Sequence, residues 1–331
     1  MVRRVLTRLL TGIALLFAIV TITFLLVNLA PGDPARLFLG PGAGPEELDA
    51  TRRALGLDRP LALRYVAWLA DFVRGDWGVS LAQQRPAHRV LLDALPYTVV
   101  LSAGSLLLTY AGGIIIGLWQ AVKHRTAVDT GLTAATLAVY AMPSYWLSLV
   151  LVLVFSYAAS RYGWPAWLTF PAFGPAGLDA EFLSPWARLL DRIEHATLPL
   201  VTLGVIGAAG TARYVRGSVL DVRGAPFVRT ARAKGLARAT VERRHVLRNA
   251  LLPIITLLGL QLPYLFSGTV FVEVIFAWPG VGREMVSAVV ARDYPVVMAS
   301  TAVFGALVVA GNVVADLLYA VADPRIRSTT P

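Results

Sequence analysis

The 331-residue chain has no cysteine, which excludes disulfides and thiolate metal sites and leaves no sign of redox compartment. Charge is scarce as well. Asp, Glu, Lys and Arg make up 15% of the residues, against about 25% in soluble domains. Lysine is nearly missing. Lys123 and Lys234 are followed by His124 and Gly235, and neither follows a glycine. A phosphate-cradling loop ending in Gly-Lys-Ser/Thr is therefore absent, so any ATP used must be bound by another chain. The four histidines, His88, His124, His195 and His245, offer no i, i+4 pair for a metalloprotease helix. They read as solvated groups in loops or at helix ends. No GxSxG elbow occurs. An intramembrane aspartyl protease needs two acids within its apolar spans, and here Asp316 alone falls inside one, near its end. Polar packing or capping suits it better.

What the chain has in quantity is apolar sequence, at 56%. Six stretches are long enough to cross a hydrocarbon core of about 30 Å, which takes about 20 helical residues. They are 9–29, 97–119, 131–159, 196–212, 250–272 and 296–322. The first exceeds a signal-peptide core and precedes "NLAPGDPA", a poor cleavage site, so it reads as a retained span. With six spans the termini share a side. That side carries 17 Lys and Arg against 5 acids, and the opposite side 13 against 15. The positive-inside rule then places both termini and the 213–249 loop in the cytoplasm.

The long outer loop, 31–96, opens on helix-stopping "PGDPA". Within it, 45–57 reads as a helix with acids first and arginines last, and 64–81 as an aromatic, interfacial segment. Gly113 and Gly117 have GxxxG spacing, which either permits close helix approach or is incidental in an apolar helix. Asp129 and Thr130 read as an N-cap to the third span. Pro143 sits inside that span, where neighbours can re-satisfy the carbonyl it frees. The 160–195 connection, rich in Trp and Pro, reads as irregular.

The 213–249 loop concentrates 10 Lys and Arg with 2 acids. Pro226 suits the first turn of a helix, "FVRTARAK" continues it, and Gly235 can end it in a left-handed conformation. A second helix is expected near Thr240. Alanines give the short helix a surface that fits a protein groove, not a lipid face. Nucleic acid is disfavoured, because no aromatic residues interleave the basic ones and no known module is present.

"FVRTARAKGL" followed by "HVLRNALLPIITLLG" resembles the cytoplasmic coupling segment of ABC importer permeases, most closely the dipeptide/oligopeptide/nickel branch. "NLAPGDPA", "GDWGVSL", "FVEVIFAWPGVG" and "YAVADPRIR" agree in order along essentially the whole chain. Where many ABC permeases have Glu-Ala-Ala, six residues before the glycine, Arg229-Thr230-Ala231 stands here, and the spacing from Gly235 to Pro253 is long. Both departures resemble the peptide branch.

The resemblance implies an all-α, six-span type I ABC importer permease with cytoplasmic termini, in the plasma (inner) membrane of a prokaryote. Its divisions would be a first helix plus outer loop (1–95), a five-helix core (96–322) and a tail (323–331). Its implied function is half of the translocation pathway for di- or oligopeptides, or for nickel or another small solute. A scaffold or receptor recruiting a cytosolic partner through its basic loop is the reading from another class. The implied partners are membrane lipid, a second homologous permease, an external substrate-binding protein, and two ATPase subunits that hold ATP and Mg; this chain itself would hold no cofactor or metal. By the resemblance, Phe227, Arg229, Thr230, Ala231, Arg232, Ala233, Lys234, Gly235 and Leu236 form the coupling helix region seated on an ATPase. Glu273, Phe276, Trp278, Pro279, Gly280 and Gly282 form an outer hairpin. That hairpin lines the pathway entrance, meets the binding protein, or is a structural turn. Few ionisable groups lie in the spans, so specificity is expected to reside in the binding protein.

Overall fold

The computed structural model describes residues 2–29, 35, 39, 42–54, 56–251, 253–254, 257–258 and 269–322. Among these residues the architecture is helical, with one isolated bridge between Val79 and Pro86 and no strand. The helices are α1 (Val2–Leu29), α2 (Pro45–Ala54), α3 (Leu61–Val73), α4 (Ala87–Val122), α5 (Ala127–Tyr140), α6 (Ser144–Val152), α7 (Pro185–Gly224), α8 (Pro226–Ala233), α9 (Val270–Ile275), α10 (Val281–Ala291) and α11 (Tyr294–Ala322). Among the described residues, five helices are long and apolar enough to cross a membrane. Most of the expected span 250–272 lies outside the described residues, as do the 323–331 tail, most of "NLAPGDPA" and the side chain of Asp316.

Two long helices form the spine. At about 1.5 Å per residue, α4 is about 54 Å long and α7 about 60 Å, well beyond a 30 Å core. Both therefore run past the hydrocarbon into polar surroundings. They pack against each other through small residues. A Cβ on Gly113 would come within 2.5 Å of Thr211 Cβ, and one on Gly117 within 2.5 Å of the Ala212 carbonyl oxygen. The GxxxG pair is thus a true close approach. Dispersion between closely apposed backbones stands in here for the hydrophobic drive that lipid does not supply.

On one flank α1 packs on α11 by the same device. Gly12 faces Val309, and Gly305 faces Leu16. Leu10, Ile13, Phe17 and Leu26 point outward and exposed, as a lipid-facing stripe requires. Helix α3 crosses α1 through Phe24, Tyr65 and Trp68, with ring centroids 5.2 to 6.4 Å apart. Thr21 Oγ1 and Tyr65 OH are 2.6 Å apart across the same contact. The aromatic segment expected at 64–81 is therefore anchored on the first span.

Four expectations need correction. The third stretch, 131–159, is not one helix: α5 ends at Tyr140 and α6 starts after Pro143, whose ψ of 136° is extended. The six residues Leu153–Ala158 that follow α6 form a π-helical turn. The fourth stretch extends both ways, so 213–224 is helix and the last part of the 160–195 connection is the start of α7. The helix after α8 begins at Arg238, ahead of Thr240, and continues through a π turn, Val241–Leu247, to Ala250. His195 is no solvated group: it lies 8% exposed inside α7, its Nδ1 2.8 Å from the Asp191 carbonyl oxygen.

Candidate functional site

Helix α8 forms for the local reasons its sequence announces. Ala225 is extended (φ −66°, ψ 146°), Pro226 takes the first helical position, and the helix runs eight residues to Ala233. The exit is a Schellman turn. Gly235 has φ +77°; its N–H donates to Arg232 O at 3.0 Å, and Leu236 N–H to Ala231 O at 3.4 Å. These bonds satisfy the last carbonyls while glycine accepts the left-handed conformation.

The two faces of α8 differ sharply. Val228 (0% exposed) and Ala231 (6%) are buried in a core with Val215 and Val219 of α7, Ala121 of α4, and Val241 and Val246. Phe227, Arg229, Thr230, Arg232, Ala233, Lys234, Gly235 and Leu236 are exposed. Phe227 and Leu236 are large apolar side chains open to solvent. Ala231, expected on the partner-facing surface, is instead turned into this chain's own core. Its small side chain permits the approach of α8 to α7, and the opposite face, with Arg229, Thr230 and Ala233, is left exposed.

Charge fastens α8 to the spine. Arg223, at the end of α7, donates through Nε to Glu242 Oε2 at 3.0 Å, with Nη2 ion-paired to the same oxygen at 3.0 Å, and donates through Nη1 to the Ala121 carbonyl at the end of α4. Arg232 of α8 reaches Glu242 Oε1 at 3.8 Å. Ser218 Oγ donates to Ala250 O at 2.8 Å. One acid in a strongly basic stretch thus joins α7, α8 and the helix that follows.

A second ion pair lies at the turn between α4 and α5. Thr126 is the N-cap of α5, accepting from Asp129 N–H at 3.4 Å, which corrects the expected Asp129–Thr130 cap. Asp129 is buried in the first turn. It accepts from Arg216 Nε at 2.8 Å and Nη2 at 2.9 Å, and from Arg125 N–H at 3.1 Å; His124 Nδ1 lies 3.2 Å away. The Arg216 guanidinium holds the Asp129 carboxyl well below the usual carboxylate range.

The 273–282 hairpin is a clamp. Thr98 Oγ1 of α4 donates to Glu273 Oε1 at 2.8 Å and accepts from Val281 N–H at 2.8 Å. Arg283 N–H donates to Glu273 Oε2 at 3.1 Å. Trp278 Nε1–H donates to the Tyr97 carbonyl at 3.0 Å, with the two rings edge to face. Glu273, Phe276 and Trp278 are almost wholly buried, Gly280 and Gly282 are buried, and Pro279 is half-buried. These six residues are thus packed within the fold of this chain. Gly280 and Gly282 are small because the Glu273 carboxylate occupies the space a Cβ would take, at 2.4 and 2.8 Å respectively.

The two sequence-predicted sites are not brought together. Thr98 and Ala121 lie 23 residues apart on α4, about 35 Å along the axis, close to one bilayer core. The clamp and α8 thus meet one continuous helix at well-separated levels, the first about a third of the way along it and the second at its C-terminal end. Among the described residues no group of three His, Cys, Asp or Glu could hold a metal ion.

Comparison with known proteins agrees along the whole length. Residues 113–328 match the family described as binding-protein-dependent transport system inner membrane component, and residues 1–102 the corresponding N-terminal family. The chain is 37% identical over 324 residues to the oligopeptide transport system permease protein AppB of Bacillus subtilis (strain 168), covering 98% of each chain. It is 36% identical to the di/tripeptide transport system permease protein DppB of Pseudomonas aeruginosa (94% of each), and 35% identical to the glutathione transport system permease protein GsiC of Salmonella choleraesuis (99% of each). Among solved structures, it resembles a chain of an amino acid ABC transporter crystallised with histidines. The TM-score is 0.51 at 15% identity, over 70% of this chain and 94% of that one. That likeness carries the fold.

Proposed function

The chain belongs to the binding-protein-dependent transport system inner-membrane component family and is a multi-pass permease subunit of an ABC importer; from this premise we propose that it imports short peptides and couples to separate ATPases through α8. Relatives named for oligopeptide, di/tripeptide and glutathione transport support the substrate class. The observation that carries the coupling assignment is the division of α8. Val228 and Ala231 fasten it to α4 and α7, while Phe227, Lys234 and Leu236 are exposed. A helix held rigidly to two membrane-crossing helices and presenting an apolar and basic outer face can transmit a push from below. The Arg223–Glu242–Arg232 joint keeps that push from being absorbed locally.

In this reading α8 and both termini are cytoplasmic, the clamp is external, and a homologous permease completes the pathway. Two ATPase subunits hold ATP and Mg, and an external binding protein delivers peptide. ATP-driven approach of the ATPases rocks α4 and α7 between inward- and outward-open arrangements. The test is co-purification of the chain with ATPase subunits, followed by peptide uptake in proteoliposomes. ATP-dependent uptake that needs the binding protein is expected. A chain that recruits no ATPase and supports no uptake would be a scaffold instead.

A further inference from the structure

One cavity collects polar groups that the fold leaves unused. It has a volume of about 470 Å³ and lies between α4, α5 and α7, lined by Gln120, Thr133, Tyr140, Arg213, Tyr214 and Arg216. This is within the size range of small-molecule sites, roughly 300–1,000 Å³. Its lower end is the Asp129–Arg216 pair, which neutralises Arg216. Its upper end is Tyr140, the last residue of α5 before the Pro143 break.

Two groups in it lack the partners their chemistry asks for. Arg213 has no acidic partner among the described residues. Its guanidinium carbon sits 5.3 Å from the centroid of the Tyr140 ring, and that ring packs over Gly210, where a Cβ would lie 3.1 Å away. Cation–π attraction can orient a guanidinium without using its N–H groups. Gln120 is 1% exposed; its Nε2 donates to Thr133 Oγ1 at 3.4 Å. Its Oε1 is buried with no hydrogen-bond partner among the described residues. A buried acceptor left unmade costs about 1–3 kcal/mol. The cavity therefore offers one uncompensated positive charge, one buried carbonyl in want of a donor, and two phenolic walls.

We propose that this cavity binds the C-terminal end of a short peptide in transit: the carboxylate on Arg213, the last backbone N–H on Gln120 Oε1, and the last side chain against Tyr140 and Tyr214. The proposal rests on the peptide-import reading and adds a recognition site within the permease itself. A C-terminal residue supplies an anion and an adjacent amide donor in one unit. The phosphodiester of phosphatidylglycerol satisfies Arg213 but carries no N–H for Gln120. Arg213 is exposed and at the mouth, so its replacement leaves the packed core intact.

The complete transporter, with sister permease, ATPases and binding protein, is reconstituted in liposomes containing phosphatidylglycerol. Uptake is measured by mass spectrometry for an equimolar pool of di- and tripeptides and for the same pool amidated at the C terminus. Uptake of the free acids should exceed that of the amides. Arg213→Gln should lower free-acid uptake roughly ten-fold or more, bringing the acid-to-amide ratio toward one, while Arg213→Lys retains part of it. Gln120→Leu should lower uptake of both pools. An acid-to-amide ratio that is the same with and without Arg213→Gln overturns the proposal. Loss of co-purifying phosphatidylglycerol from Arg213→Gln with an unchanged ratio assigns the cavity to lipid, and overturns it too. Failure of the unsubstituted transporter to import either pool refutes the peptide-import reading itself, a result distinct from a failure confined to the variants.

Discussion

Gly280→Ala tests whether the hairpin is a clamp. Gly280 has φ −92° and ψ 172°, ordinary extended backbone that alanine adopts freely. Any cost must then come from space. The added Cβ would stand 2.4 Å from Glu273 Cδ and 2.5 Å from both carboxylate oxygens, where contacts of about 3.5–4 Å are normal. Glu273 cannot retreat easily, being fully buried and held by Thr98 and the Arg283 N–H. Overpacking costs typically 1–3 kcal/mol, and each displaced charge-assisted hydrogen bond about 1.5–3 kcal/mol. Loss of both bonds with the clash gives roughly 4–9 kcal/mol; loss of one gives roughly 3–6 kcal/mol. Either is a large share of a marginal stability. The assay is thermal unfolding of the purified, detergent-solubilised transporter, with Glu273→Ala and the double variant completing a cycle. Adding Gly280→Ala on the Glu273→Ala background should cost at least about 2 kcal/mol less than on the native one. A Gly280→Ala protein as stable as the parent, or equal costs in both backgrounds, would refute the clamp.

Three further outcomes follow from other sites. Phe227→Ala with Leu236→Ala should weaken ATPase co-purification at unchanged thermal stability, whereas Ala231→Trp should destabilise the chain itself, because Ala231 is buried; destabilisation by the first pair would place them in the core. Gly235→Ala should cost about 1 kcal/mol through its φ of +77° alone, since nothing lies within 4 Å of the added carbon; a D-alanine at this position, introduced by semisynthesis, should restore thermal stability. Asp129, whose folded pKa is depressed by Arg216, contributes stability that is fully present above its unfolded value of about 3.9 and is lost as pH falls below it. Asp129→Asn should cost about 2 kcal/mol near neutral pH, after allowing for the partly exposed Arg216, and should flatten the acid limb of a stability–pH curve; an unchanged acid limb would remove Asp129 from that role.

The sequence by itself determined the elements whose cause is local. Apolar runs long enough for a bilayer, the helix begun by Pro226 and ended by Gly235, and the acid-to-basic order of 45–54 all follow from chain-neighbour physics. Only the tertiary structure decided which face of α8 looks outward. Alanine suits a groove in a partner and a groove in its own chain equally, and Ala231 proved to fill the latter. The same holds for Glu273, Asp129 and Gln120: each is polar, each is buried, and the groups that meet it lie as far as 175 residues away along the chain. Burial and partnership depend on which helices pack together, and spacing along one strand of sequence carries no record of that.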